Sequence, residues 1–184
     1  MYYEHKPEGP VAEDRFGYIH VYYGEGVGKT TRAIGLTTRA AGEGLRVAFV
    51  QFMKSGDSGE VKIFRQIPNI AYYCPGKHPF ILARGPEPVH YRHAELSLEH
   101  ALGTLQDSVQ ILVCDEILNT LIFNLLPEEA IMDLITRCRE RVDLVLTGRH
   151  APPEIIDAAD YATELIQVKH PYYKGVRARR GIEY

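Results

Sequence analysis

The run Gly24-Glu25-Gly26-Val27-Gly28-Lys29-Thr30-Thr31 combines residue types that together bind phosphate. Glycines at alternate positions let successive backbone N–H groups turn toward one anion, Lys29 adds a point charge, and the Thr30 hydroxyl is placed to hold Mg²⁺. The run follows an apolar strand pattern, Tyr18-Ile19-His20-Val21-Tyr22-Tyr23, and opens a helix-like stretch, the context a triphosphate cradle requires. The common pattern, G-x-x-x-x-G-K-[ST], wants glycine at position 23, where this chain has Tyr23, so the loop is one residue shorter. The alternative is a glycine-rich turn with no ligand, and it needs the strand, the helix and the Lys-Thr-Thr ending to coincide by chance.

A second element is Ile111-Leu112-Val113-Cys114-Asp115-Glu116, an apolar strand ending in two carboxylates. It brings negative charge to the carboxyl edge of a sheet, where the phosphate loop also lies, and such a pair holds Mg²⁺ directly or through water. The alternative for Asp115 is a helix cap. Cys114 reads as a small core residue rather than a nucleophile, since no base lies near it in sequence. A third strand end, Val142 to Thr147, is followed by Gly148-Arg149-His150, which makes Arg149 a candidate phosphate or substrate contact, or else a solvated loop arginine. The stretch from Val168 to Gly181 interleaves aromatic and basic residues and suits a lid over an anionic ligand, or a solvated tail.

The elements that position these residues follow from periodicity. Strands are expected near 18–23, 45–52, 70–73, 109–114, 142–147 and 161–167, alternating with helical segments at 29–42, about 88–106, and from Pro127 through Cys138, with a further helix starting at Pro152-Pro153. That alternation predicts an α/β fold, a mostly parallel sheet with helices on both faces. In the first helix Ala33, Ile34, Leu36, Thr37, Ala40 and Ala41 suit a buried face, and Gly42 is the expected stop. Residues 1–17 carry four acidic and two basic side chains with two prolines and little periodicity, so an arm outside the sheet is expected there, with one domain over 18–184.

Bulk properties narrow the class. A chain of 184 residues suits one domain, and a net charge of −3 argues against a general nucleic-acid binder. The three cysteines, Cys74, Cys114 and Cys138, show no C-x-x-C spacing and favour a reducing compartment. The N-terminus lacks the layout of a signal peptide and no apolar run approaches membrane length, so a cytoplasmic location is expected.

Taken together, the motifs resemble the P-loop type corrinoid adenosyltransferases, over about Tyr18 to Tyr184. The resemblance is carried by the short loop from Gly24 to Thr31, Arg39-Ala40-Ala41-Gly42 with Gly44-Leu45-Arg46-Val47, Val50-Gln51-Phe52-Met53-Lys54 and Gly59-Glu60. It continues through Asp115-Glu116-Ile117, Leu146-Thr147-Gly148-Arg149 with Ala151-Pro152, Lys169-His170-Pro171 and Arg180-Gly181-Ile182-Glu183. The chain departs from the family pattern at Val27, where lysine is frequent, and between Cys74 and Glu99, where a Trp-containing pattern is usual.

The resemblance implies a RecA-like P-loop fold and a reaction in which Co(I) of a reduced corrinoid attacks C5′ of ATP and releases triphosphate. It implies binding of the triphosphate by Gly24, Glu25, Gly26, Val27, Gly28, Lys29, Thr30, Thr31 and Arg149, with Lys29, Thr30 and Glu116 acting on the departing charge. Mg²⁺ would sit on Thr30 and Glu116 with Asp115 in support. The resemblance also implies that the 72–99 region borders the corrinoid, with Phe80, Tyr72 and Tyr73 as candidates for a cobalt face. The arm at 1–17 would cover the corrinoid, a reduced flavoprotein would donate electrons, and a homodimer is possible within this family. Competing readings are a RecA-like ATPase or kinase, and a nucleotide-binding regulator without turnover. His90, His93 and His100 fall on one predicted helix face; solvated or core-edge roles are the expectation, a metal site the alternative.

Overall fold

The alternation of apolar strands and helices produces a six-stranded sheet in the computed structural model, which describes residues 16–183. The strands are β1 (Ile19–Tyr23), β2 (Val47–Gln51), β3 (Ile70–Tyr73), β4 (Ile111–Asp115), β5 (Asp143–Thr147) and β6 (Tyr161–Glu164). Their order across the sheet is β3-β2-β4-β5-β1-β6, and every pairing among them is parallel. The helices are α1 (Lys29–Gly42), α2 (Gly59–Phe64), α3 (Pro88–Thr104), α4 (Asn119–Ile122), α5 (Glu128–Cys138) and α6 (Pro153–Asp157), followed by a 3-10 turn at Pro171–Lys174. This is the α/β architecture of a RecA-like P-loop fold.

Strand alternation divides the core into two layers. Val47 and Phe49 of β2, Ile111 and Val113 of β4, and Val145 of β5 pack with Ala33 and Ala40 of α1 and Phe64 of α2. Their neighbours Ala48, Val50, Leu112, Cys114, Leu144 and Leu146 point the other way, against α3, α5 and α6. Central strands buried on both faces explain the unbroken apolar runs. On α1 the buried stripe is Ala33, Thr37 and Ala40, a spacing of four and three that small side chains fill, so the helix lies close on the sheet.

All six expected strands form, and the long helices fall where periodicity placed them. Three details differ. The left-handed stop of α1 is Gly44, φ 79°, rather than Gly42, and Leu45 N–H donates back to Ala40 O at 3.0 Å. Pro127 caps α5 from outside the helix instead of sitting in its first turn. The short helices α2 and α4 span six and four residues, too few for a period to register in sequence. The expected N-terminal arm lies outside the described residues except for Phe16 and Gly17. Gly17 N–H donates to Asp143 Oδ1 at 2.8 Å, and a Cβ at this glycine would meet Glu140 N at 2.1 Å.

Candidate active site

Register decides which polar residues meet. Gln51 lies opposite Asp115 where β2 pairs with β4, and Thr147 lies opposite Tyr22 where β5 pairs with β1. Gln51, Asp115 and Thr147 share the parity of Phe49, Val113 and Val145, so all three face the α1 side at the carboxyl ends of their strands. The first turn of α1 carries Thr30 to the same place. Thr30 Oγ1 donates to Asp115 Oδ1 at 3.0 Å, Thr147 Oγ1 donates to Oδ1 at 2.8 Å, and Gln51 Nε2 donates to Oδ2 at 3.2 Å. Lys54 Nζ completes the set, 3.4 Å from Asp115 Oδ2 and 3.1 Å from Thr30 Oγ1. The Asp115 side chain has 0% exposure, and four donors on one carboxylate offset the cost of burying it.

The network extends outward. Tyr72 O–H donates to Gln51 Oε1 at 2.7 Å, which fixes the Gln51 amide with its nitrogen toward Asp115. Burial and then the neighbouring Cys74 push the Tyr72 phenol's pKa up, so it remains a donor. Thr147 Oγ1 accepts from Glu116 N–H at 2.8 Å while it donates to Asp115, using its single proton once.

Glu116 follows β4 with φ 68°, a left-handed conformation that is uncommon for a glutamate. The turn directs its carboxylate to Asn119 Nδ2, a different partner from that of Asp115. Burial, then Asp115, raise the Glu116 pKa, against the opposing pull of Lys54, Lys29 and Arg149.

The phosphate loop leaves β1 directly, with Tyr23 as the last strand residue and Gly24 turning at φ 108°. The glycines at 24 and 26 are required by the chain passing beneath them. A Cβ at Gly24 would lie 2.4 Å from Leu165 O and one at Gly26 2.7 Å from the same atom, and Gly26 N–H donates to Leu165 O at 2.7 Å. Gly28, φ 107°, precedes α1, whose start has neither a side-chain cap nor an acidic residue in its first turn. A 14-residue helix with bare N–H groups aimed at the loop is the electrostatic arrangement that favours an anion. Lys29 Nζ donates to Gly24 O and Gly26 O, each at 2.6 Å, which holds the ammonium across the loop. Burial lowers its pKa, opposed by Glu116 and Asp115.

The candidates named from sequence therefore converge, with a change of emphasis. Thr30 pairs with Asp115 rather than with Glu116. Glu25, Val27 and Thr31 are exposed, Val27 at 68%, and none of them joins the Asp115 network. Arg149 is exposed and pinned through its backbone: its N–H donates to Asn119 Oδ1 at 2.7 Å and its carbonyl accepts from Gly24 N–H at 3.0 Å. Its charge acts on both Lys29 and Glu116. Sequence reading held Gln51, Lys54 and Thr147 only as motif members, and missed Asn119 and Leu165. Polar residues ending apolar strands were the available signal for Gln51 and Thr147; a backbone contact such as that of Leu165 has none.

The remaining candidates separate. Tyr72 and Tyr73 are adjacent on β3 and face opposite sides of the sheet: Tyr72 packs on Phe49 with ring centroids 6.5 Å apart, and Tyr73 stacks on His100 at 3.9 Å. Phe80 is 92% exposed in the 74–87 segment. The helical histidines take three different roles. His90 Nδ1 accepts from Glu87 N–H at 2.7 Å as part of the α3 capping box, His93 Nδ1 meets His78 Nδ1 at 3.3 Å, and His100 stacks on Tyr73. Among the described residues no group of three or more His, Cys, Asp or Glu is placed to hold a metal. Cys114 is fully buried, and burial pushes its thiol pKa well up, as a core residue requires. No described helix is long and apolar enough to cross a membrane.

This arrangement has relatives. A model of the family described as ATP:corrinoid adenosyltransferase BtuR/CobO/CobP matches residues 15–184. A corrinoid adenosyltransferase of Pseudomonas aeruginosa is 34% identical over 176 residues, covering 94% of this chain and 86% of that protein. A corrinoid adenosyltransferase of Escherichia coli K12 is 32% identical over 181 residues, 94% of this chain and 88% of its own length. The corrinoid adenosyltransferase CobA of Salmonella typhimurium LT2 is 31% identical over the same span. With the family model matched over residues 15–184 and relatives more than 30% identical over most of both chains, the chain belongs to the ATP:corrinoid adenosyltransferase family.

Proposed function

We propose that this chain transfers the 5′-deoxyadenosyl group of ATP to a reduced corrinoid in the biosynthesis or salvage of adenosylcobalamin. The substrate cobalt, as Co(I), supplies an electron pair that forms the Co–C5′ bond. The C5′–O bond breaks and its pair departs with the triphosphate, leaving formal Co(III). The nucleophile belongs to one substrate and the leaving group to the other, so the protein's part is positioning and charge stabilisation.

The observation that supports this most is the commitment of Asp115 to four donors. A carboxylate so engaged is a poor base for activating water, and a good anchor for Thr30 at the mouth of the loop. The N–H groups of the loop and α1, with Lys29 and Arg149, would bind the triphosphate. The donor set also fits a divalent cation, which hard oxygens on Thr30, Asp115 and Glu116 would hold. Bound there, Mg²⁺ would neutralise charge on the departing triphosphate. Phe80 and the 74–87 segment would border the corrinoid, and residues 1–17 would cover it. A reduced flavoprotein as electron donor, a cytoplasmic location and a homodimer complete the reading.

The experiment supplies ATP and a Co(I) corrinoid under strong reductant and follows the alkylcobalt spectrum and the phosphate product. The expected outcome is one Co–C bond per intact triphosphate. ADP and orthophosphate formed at a corrinoid-independent rate, without cobalt alkylation, would instead establish a RecA-like ATPase.

A further inference from the structure

Among the described residues Lys54 is the one cation in ion-pair contact with Asp115, and the metal reading assigns its two partners to a different cation. Its ammonium engages Thr30 Oγ1 at 3.1 Å and Asp115 Oδ2 at 3.4 Å. We infer that Lys54 is a displaceable counter-ion, which holds Thr30 and Asp115 together in the metal-free protein and competes with the divalent cation for them. The inference rests on the metal reading of Thr30, Asp115 and Glu116 given above.

Three observations carry it. First, an ammonium and a divalent cation repel, and one buried carboxylate edge cannot keep both at contact distance without strong cost. Second, the two partners differ in freedom: the Asp115 side chain has 0% exposure and the Lys54 side chain 30%. The lysine has a way out along its flexible stem and the carboxylate does not.

Third, Lys54 lies in a segment bent at Met53, φ 51°, and Gly56, φ 69°, which touches the 74–87 segment. Cys74 Sγ donates to Lys54 O at 3.2 Å, and the Ser55 hydroxyl accepts from His78 N–H at 3.2 Å. Release of the Lys54 ammonium therefore acts on the backbone two residues from Phe80. Binding of metal at the ATP end would be felt at the end proposed for the corrinoid.

The test is a titration with Mn²⁺, without nucleotide, followed by electron paramagnetic resonance on wild type, Lys54→Met, Lys54→Gln and Asp115→Asn. Removing the competing charge should tighten Mn²⁺ by about tenfold in both lysine variants, within the ordinary range for coupling between two ligands of one site. Lys54→Gln keeps a polar contact to Thr30 and serves if Lys54→Met does not fold. A lysine that only supports the site would give the opposite sign, since its loss would loosen Thr30 and Asp115. Mn²⁺ affinity unchanged or weaker in the lysine variants, with binding lost in Asp115→Asn, overturns the counter-ion role and leaves the metal site standing. Equal Mn²⁺ binding in Asp115→Asn and wild type overturns the metal reading itself, and with it this inference.

Discussion

Asp115 is fully buried and meets four donors, whereas Phe80 is 92% exposed, Tyr172 68% and Tyr173 77%. The first belongs to the edge where the phosphate loop meets β4, the others to the 74–87 segment and to the chain after Leu165. The contrast suits what the proposed function asks each end to bind. A triphosphate is small, of fixed charge, and best served by donors and dipoles held in place before it arrives. A corrinoid is broad and largely apolar, so an open surface with aromatic groups at its rim suits it, and order there is gained on binding. The tail departs beside the phosphate loop, where Leu165 O accepts from Gly26 N–H.

The sharpest way to break this comparison is at the rigid end. Lys29→Ala removes the ammonium that spans Gly24 O and Gly26 O, and should cut adenosylation by about 10²–10³-fold with the circular dichroism spectrum intact. Near-wild-type turnover at low ATP would move the phosphate site elsewhere. Next in size is Asp115→Asn, which disturbs Thr30, Thr147, Gln51 and Lys54 at once. It should cost on the order of 1–3 kcal/mol of stability in urea unfolding and raise the Mg²⁺ concentration needed for turnover. A variant with unchanged metal dependence would leave Asp115 a purely structural role.

The same contrast explains what could be read from the chain beforehand. The four inner strands were legible because burial on both sheet faces writes long apolar runs, and α1, α3 and α5 because each is long enough to carry a helical pattern. The edge strands β3 and β6, less buried, read only as short runs of strand-forming residues. The acidic pair, Lys29 and Thr30 were legible because their types and spacing are chemically constrained. The division of labour between Asp115 and Glu116 was not, since it depends on a left-handed turn at Glu116 that no glycine announces. Thr147 and Gln51 became partners of Asp115 through strand order, with β5 placed between β4 and β1, and that order is a long-range fact. The pairing of His78 with His93 was equally invisible, because His78 stands in a segment without period.

At the open end, effects should be smaller and selective. Phe80→Ala should raise the KM for corrinoid by about threefold to tenfold, the worth of an aromatic contact, and leave the KM for ATP unchanged. Because the ring is 92% exposed, unfolding free energy should shift by no more than about 0.5 kcal/mol. A loss confined to ATP affinity would show that Phe80 belongs with the nucleotide and that the two ends are not separate.

The smallest effect concerns how firmly the 74–87 segment lies on α3. His78 Nδ1 meets His93 Nδ1 at 3.3 Å, a contact that needs a lone pair on one of the two nitrogens. Burial, then the fields of His90 and His93, depress the His78 pKa to about 4, and burial with His90 lowers that of His93. The ordinary histidine value is 6.5, so between that pH and about 4 the open segment binds more protons than the closed one. The contact is therefore fully present above pH 6.5 and weakens as pH falls toward 4. His78 is only half-buried, so solvent screening limits the change to on the order of 1 kcal/mol. Hydrogen exchange at residues 76–80, corrected for intrinsic rates, should show protection falling from pH 7 to pH 5, while amides of β4 stay constant. His78→Asn should flatten that dependence. Protection equal at both pH values in wild type would mean that the segment is held by Ser55 and the α3 cap alone, and that the open end is as firmly set as the phosphate edge.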